Sequence, residues 1–432
     1  MKKKGVEKQN AMITRNRIYV ENGISGKLLQ GCLSEHLRNV ENWNKLHDLY
    51  LGRGDILTRR RAEGLPNNRL SHAFARYIVT VASGYLAGGP VQYTLEGESG
   101  DASELIRAYH QADVQSVDME LAKCASLYGK GVELIYADEK TRIRSCAVDV
   151  RSAFVVYDES AAHLPLFGMT VRPVQGETGS MMGYECKVYT KDHILTFRGG
   201  DIAKIMLQSP VATQRHYFGG VPMVEYWNNE EEESDLSGVI TLMEAYDVLQ
   251  SDRVNDREQQ VDALLLLYGA QLMVDEKGRT PAQQLRQDKL LYLPDRDAGA
   301  EYLCPSQTGQ DAETLRKALE KDIHKFSMVP DLSDESFSGN QSGIAIKYKL
   351  MGLEQMTRMK ERFFREALRE RMRLYIHFLS VKGLKTPDAD SVRMVFKRTL
   401  PVDMLETAQM VKTLSGMVDD EVLKSQLPFM EK

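Results

Sequence analysis

The chain has 432 residues, 42% hydrophobic and 27% charged, with a net charge of −5. That length calls for two or more substructures around at least one sizeable core, and the composition excludes wholesale disorder. The acidic balance excludes a protein that wraps nucleic acid by neutralising phosphates, so any contact with DNA belongs to one surface or is weak.

The five cysteines, Cys32, Cys124, Cys146, Cys186 and Cys304, show no CxxC spacing, which argues against a disulfide framework or a zinc site and fits synthesis in a reducing cytoplasm. The opening "MKKKGVEKQNAM" has the charge of a signal-peptide n-region but no apolar h-region after it, so it reads as a solvated tail. From Ser34 to Tyr50, Leu37, Val40, Leu46 and Leu49 fall at helical spacing, and two glycines in "YLGRGDILTRRR" end the pattern. The stretch "NNRLSHAFARYIVTVASGYLAGGPVQY" predicts a core helix. Asn67 and Asn68 are cap-type residues at its start, Leu70, Phe74, Tyr77, Ile78, Val81 and Tyr85 share one face, and Gly88, Gly89 and Pro90 stop it. "MELAKCASLYGKG" repeats the pattern with Leu121, Ala125 and Tyr128 before Gly129.

Between Val132 and Trp227 the period changes to two. "VELIYA", "RIRSCAV", "AFVVYD", "FGMTVRPV", "YECKVYT", "HILTFRG" and "MVEYW" are short β-type runs divided by turn chemistry, as in an antiparallel meander. This is an α+β module with no βαβ succession, so a Rossmann-type reading has no support. Asn228 and Asn229 before the acidic run Glu230–Glu233 favour a helix N-terminus, which continues through Leu236, Val239, Ile240, Met243, Tyr246 and Leu249. Beyond Gln250 this helix is polar nearly all round, including Asp252, Arg253, Asp256 and Arg257, and such a helix needs neighbours in an assembly.

Residues 264–305 read as a compact insertion of two strand-like segments around a loop, and "DAETLRKALEKDIHKFSMVP" gives a second helix ended by Pro330. Two helices flanking a small β insertion resemble a stalk with a foot. The Gly/Ser/amide stretch "SFSGNQSG" follows, and then one of the longest helical patterns in the chain. There Tyr348, Gly352, Met356, Met359, Phe363, Ala367, Leu374 and Phe378 recur at three- and four-residue steps and predict one packed stripe. Between Lys347 and Arg373 this helix carries nine Lys/Arg against four Glu.

The blocks "YLGRGDILTRR", "NNRLSHAFARYIVTVASGYLAGGPVQY", "LAKCASLYGKGVELIY", "FGGVPMVEYWNN" and "SGIAIKYKLMGLE", in this order, resemble the tailed-bacteriophage portal proteins of the SPP1 type over roughly Trp43 to Leu379. The resemblance implies a portal fold, α+β, with an antiparallel β-rich wing, long stem and tunnel helices, a small β-containing clip and a short helical crown. Mapped onto this chain, it implies an amino-terminal tail at 1–33, a wing at 34–229 and stem helices at 230–262 and 309–330 around a clip at 263–308. It further implies a tunnel loop at 331–343, a long helix at 344–380, a wing strand at 381–400 and a crown at 401–432. The implied assembly is a homo-oligomeric ring of about twelve subunits. Double-stranded DNA would pass through it, and its partners would be the terminase large subunit, a head-completion or tail adaptor protein, and major capsid and scaffolding proteins. It would sit at the portal vertex of the virion after assembly in the host cytoplasm.

In that picture Ser336, Phe337, Ser338, Gly339, Asn340, Gln341, Ser342 and Gly343 form the loop at the channel's narrowest point, Lys347 and Lys349 are basic groups facing the channel, and Asp252, Arg253, Asp256 and Arg257 form the stem's polar face. The chemistry fits a sliding duplex. A ring repeats each contact about a dozen times, so one firm lysine per subunit would make a sticky collar, whereas uncharged hydroxyls and amides exchange with water. Phe337 fits packing between loops of adjacent subunits better than contact with DNA.

Catalysis has little support in the sequence. GxxxxGK[ST], HExxH, GxSxG and spaced Cys/His sets do not occur, so the ATP hydrolysis that drives packaging belongs to another protein, and no cofactor or metal is expected. Asp252 and Asp256 share a helical face, but the segment lacks the further ligands that a nuclease metal would need. The competing reading is a nucleic-acid-processing enzyme or DNA-binding accessory factor that uses the basic helix 347–373. The most apolar run, at 263–274, is too short to span a bilayer, so no membrane segment is expected.

Overall fold

The first strand, β1 (Ile13–Arg15), lies within 1–33, the stretch expected to be an amino-terminal tail. It pairs in parallel with a strand of the central sheet, Ile13 opposite Val156. The computed structural model describes residues 12–21, 23–63, 65–95, 101–261, 264–268, 299–303, 309–333, 343–398 and 413. The chain divides into two units, Met1–Gly52 with Ala73–Ile240 and Ile323–Lys432, and Arg53–His72 with Thr241–Asp322.

In the first unit a single turn, α1 (Ile18–Glu21), leads to α2 (Gly26–Tyr50), whose N-cap Ser25 accepts the Leu28 N–H. This helix starts well before Ser34, and Leu29, Cys32 and Leu33 are buried. Glycines obscured its first turns in the sequence. Gly26 is there because a Cβ would clash with the Met206 carbonyl oxygen. Helix α3 (Phe74–Ala87) ends at Gly88 as expected, but no side chain caps its start. Asn68 instead gives its N–H to Asn255 Oδ1 at 2.6 Å, and Asn67 donates to the Arg59 carbonyl.

The buried face of α3 is also rotated from the predicted one: Ala75, Ile78, Val79, Ala82, Ser83 and Leu86 are buried. Small residues line that face because it lies close to another helix, and the aromatics take the flanks. Phe74 and Tyr77 stand edge-on to His324, and Tyr85 donates to Glu354 at 2.9 Å. Strand β2 (Gln92–Leu95) and helix α4 (Ser103–Ala112) follow, neither of them anticipated. Helix α5 (Val114–Tyr128) buries Leu121, Ala125 and Tyr128 and ends at Gly129, whose φ of 90° makes the left-handed turn.

The seven β-type runs are all strands, but they form two sheets rather than one meander. Strands β3 (Lys130–Ala137) and β4 (Ile143–Val148) pair with a later strand, β10, in the order β10-β3-β4. Strands β5 (Ala153–Asp158), β6 (Pro165–Gln175), β7 (Met181–Tyr189), β8 (His193–Gly199) and β9 (Ala212–Arg215) run antiparallel in sequence order, with β1 beside β5. After β10 (Met223–Trp227) the expected helix start at Glu230 is a turn. Asn229 Oδ1 accepts the Glu233 N–H at 2.8 Å, its amide donates to the Glu233 carbonyl at 2.9 Å, and Glu232 is left-handed with φ 62°. The asparagines close a turn instead of capping a helix.

Helix α6 begins at Ile240 and runs to Val261. Strands β11 (Leu264–Tyr268) and β12 (Gly299–Leu303) pair antiparallel, with α7 (Gly309–Ser327) after them. The long carboxyl-terminal helix is broken at Leu350 into α8 (Gly343–Lys349) and α9 (Met351–Val381). Strand β13 (Val392–Val395) returns to pair with β2.

Two clusters of buried residues stand out in the first unit. One joins α4, α5, β3, β10 and α9 around Leu121, Tyr226, Phe364 and Tyr375; the other joins α2 to the large sheet around Leu33, Phe154, Phe167 and Cys186. His36 closes an edge of the second core, stacked on Phe154 with ring centroids 4.3 Å apart and Nε2 3.3 Å from the Arg151 carbonyl oxygen. Burial, helped by the charge of Lys130, pulls its pKa from 6.5 down to about 3. The unfolded ring takes a proton near 6.5 and the folded ring does not. The stability His36 contributes is therefore present above pH 6.5 and lost as pH falls toward 3, at about 1.4 kcal/mol per unit. The melting temperature of His36→Gln should fall less steeply than that of the parent between pH 6.5 and pH 4; parallel slopes would contradict a buried neutral ring.

Candidate functional site

The apolar stripe of α9 is the element around which the charged groups of the first unit are ordered. Its buried residues include Leu353, Thr357, Lys360, Phe364, Ala367, Leu368, Arg371, Leu374, Tyr375 and Phe378. The predicted stripe agrees at Ala367, Leu374 and Phe378 but not earlier, where Tyr348 and Met359 face outward, 73% and 55% exposed. The reason is chemical: Thr357, Lys360 and Arg371 occupy inward positions where an apolar pattern breaks.

Each of these polar groups has a partner inside. Thr357 donates to the Leu353 carbonyl at 2.7 Å. Lys360 pairs with Asp235, which also accepts from Ser126 and from Asn228. The Arg371 guanidinium has no exposed surface; Nη1 meets Asp118 Oδ1 at 2.6 Å and Nε donates to Glu133 Oε2 at 2.8 Å. Tyr226 donates to the same Glu133 oxygen at 2.6 Å. Burial works against the guanidinium charge, but the Asp118 and Glu133 carboxylates outweigh it and hold Arg371 well above its ordinary pKa. Burial pushes the Asp118 carboxyl up to about 6 against the pull of Arg371. A second buried pair, Lys130 with Glu225 at 2.7 Å, has the ammonium 4.8 Å from the centre of the Trp227 ring. Sequence reasoning missed these groups; their signal was Lys360 and Arg371 falling on the spacing set by Leu353, Phe364, Leu368 and Tyr375.

Much of the positive charge of 347–373 is thus already used. Besides Lys360 and Arg371, Arg358 pairs with Glu354, Arg365 with Glu361, and Arg373 with Glu370. With these five of its nine cations engaged, the helix offers nucleic acid fewer free charges than its sequence suggests, which weakens the accessory-factor reading.

The residues singled out for the channel are placed unevenly. Ser336, Phe337, Ser338, Gly339, Asn340, Gln341 and Ser342 lie outside the described residues, as does the crown apart from Thr413. Gly343 opens α8, on which Lys347 is exposed and Lys349 half-buried.

In the second unit, Asp252 is held by Arg59 at 2.8 Å and by Arg61, and Arg253 reaches Glu313 at 3.2 Å. Asp256 and Arg257 are exposed. Asp252 therefore clamps the arginine-rich loop onto α6 and does not face Asp256 as half of a metal pair. A cleft of about 260 Å³ lies beside it, lined by Asp55, Arg59, Glu244 and Asp247, and Asp247 is taken by His72 at 2.7 Å. Among the described residues no group of three or more His, Cys, Asp or Glu could hold a metal, and no helix is long and apolar enough to cross a membrane.

An α+β unit braced by internal ion pairs, with no catalytic constellation among the described residues, has the character of a structural subunit. The model of the family described as phage portal protein, SPP1 Gp6-like, matches residues 29–432, and the chain belongs to that family. It is 24% identical to the portal protein of Bacillus phage SPP1 over 433 residues, 94% of this chain and 83% of that protein. It is 20% identical to the portal protein of Clostridium phage phiCD119 over 400 residues, 88% of this chain and 86% of that one. The family is structural, not enzymatic. Its members are virion components that assemble as rings and form the conduit for DNA packaging, and this chain has that role.

Replacing Arg371 by Met strands Asp118 and Glu133 in the core and should cost about 3–5 kcal/mol in urea unfolding. Ser380→Ala, at an exposed position of the same helix, should stay within about 0.5 kcal/mol of the parent. Equal effects would mean that the buried triad does not brace the fold.

Proposed function

We propose that about twelve copies of this chain close into a ring with cyclic symmetry at one capsid vertex and pass double-stranded DNA inward during packaging and outward during ejection. Family membership over residues 29–432 carries this reading. Helices α6 and α7, joined through the β11–β12 pair, support a stem at 230–262 and 309–330 and a clip at 263–308 that docks first the terminase large subunit and later a head-completion or tail adaptor protein. The wing at 34–229 with the strand at 381–400, and the crown at 401–432, face the capsid interior, with major capsid and scaffolding proteins as partners during assembly in the host cytoplasm. The segment 331–343 forms the tunnel loop, with the helix at 344–380 behind it, and Lys347 and Lys349 stand at its base toward the channel.

Hydroxyl and amide groups at Ser336, Ser338, Asn340 and Gln341 contact phosphates through bonds that water replaces at little cost. The stem's charged residues Asp252, Arg253, Asp256 and Arg257 keep that part of the subunit polar where it meets its neighbours.

Native mass spectrometry and class-averaged electron micrographs of the purified protein should give a closed ring of about a dozen copies with a central hole. Deleting 336–342 should leave that ring intact and abolish DNA packaging. Packaging at parental level by the deleted ring would remove the loop from the conduit.

A further inference from the structure

Helix α9 turns outward a second stripe whose chemistry differs from the buried one. Lys360 and Arg362 stand about 200° apart around the helix axis, and Lys360 is buried where Arg362 is exposed. The outward stripe begins with Tyr348 on α8 and runs through Met351, Met359, Arg362 and Arg369, with Gln355 and Glu366 between them. Tyr348, Met351 and Met359 are each more than half exposed, at 73%, 56% and 55%. Large apolar groups at helical spacing on a free surface mark a contact site. Met328, 52% exposed, lies against Gly352 and extends the patch. Arg358, Arg365 and Arg373 pair with carboxylates of their own helix, whereas Arg362 and Arg369 pair with none of the described residues.

The same unit offers the complementary charge elsewhere. Glu230, Glu231 and Glu233 are exposed on the turn closed by Asn229, and their carboxylates engage none of the described residues. That turn is fixed in place by Asp235, which reaches the buried side of α9 at Lys360. One subunit therefore carries an acidic turn anchored on the inner side of α9 and a basic, partly apolar stripe on its outer side. Two different complementary surfaces make a heterologous contact, the kind that closes into rings.

We propose that the outward stripe of α9 receives the 230–233 turn of the neighbouring copy, with Arg362 and Arg369 meeting its carboxylates and Tyr348, Met351 and Met359 excluding water beside them. The proposal rests on the ring reading above and assigns the surface by which the ring closes. Opposite charges on the two faces set the direction of association and exclude face-to-face pairing of like surfaces.

Two reversed variants test it, with every changed residue exposed. The first carries Arg362→Glu and Arg369→Glu, so both of its surfaces are acidic; the second carries Glu230→Lys, Glu231→Lys and Glu233→Lys, so both are basic. By native mass spectrometry each alone should lose at least nine-tenths of the ring seen for the parent, and an equimolar mixture should restore rings in which the two alternate. Rings formed by each variant alone as readily as by the parent, or a mixture that fails to reassemble, would overturn the contact while leaving the ring reading intact. A parent chain that stays monomeric at every concentration would overturn the ring reading, and the contact with it.

Discussion

Arg371 is the side chain on which the first unit is most dependent. It is fully buried, and it lies between Asp118 of α5 and Glu133 of β3. One guanidinium thereby ties the long carboxyl-terminal helix to a helix and a sheet that precede it by more than two hundred residues in the chain. Burying three charges together is costly, and a well-packed apolar substitute for all three would often be as stable. What the arrangement supplies is register. A guanidinium satisfied only when two carboxylates are within reach fixes α9 in rotation and translation, which apolar side chains alone fix less sharply. The Lys360–Asp235 pair adds a second point along the same helix and carries the 228–235 turn with it.

This bracing suits a subunit whose work is mechanical. A conduit that DNA crosses in both directions must hold its shape against repeated force, and its residues act by position and not by turnover. The charged groups of the long helix serve the subunit's own interior first. The basic appearance of 347–373 in an acidic chain therefore mostly records internal neutralisation.

Legibility in the sequence followed the simplicity of the local signal. The seven β-type runs and the stop of α3 at Gly88 were readable, because alternation and glycine clusters act over a few residues. The start of α2 was hidden by Gly26, whose place is dictated by a carbonyl of Met206, far away in the chain. Asn67, Asn68, Asn228 and Asn229 have the chemistry of caps, yet their amides serve tertiary contacts and a turn, which no window of sequence reveals. The first half of the α9 stripe was misread because its inward positions hold Thr357 and Lys360, whose partners lie elsewhere. Of the residues assigned to the channel, the family-like blocks supplied the assignment, and periodicity contributed only the helices that flank them.

The large sheet has one more property that follows from its ends. Its inner strands β6 and β7 have 11 and 9 residues, while its edges are β1, with 3, and β9, with 4. Edges this short offer too few free backbone groups to template another chain. A protein made in many copies that must gather side by side is exposed to runaway strand addition, and here that route is closed at both borders. Association is left to side chains, which can be specific about partner and angle where a backbone ladder cannot.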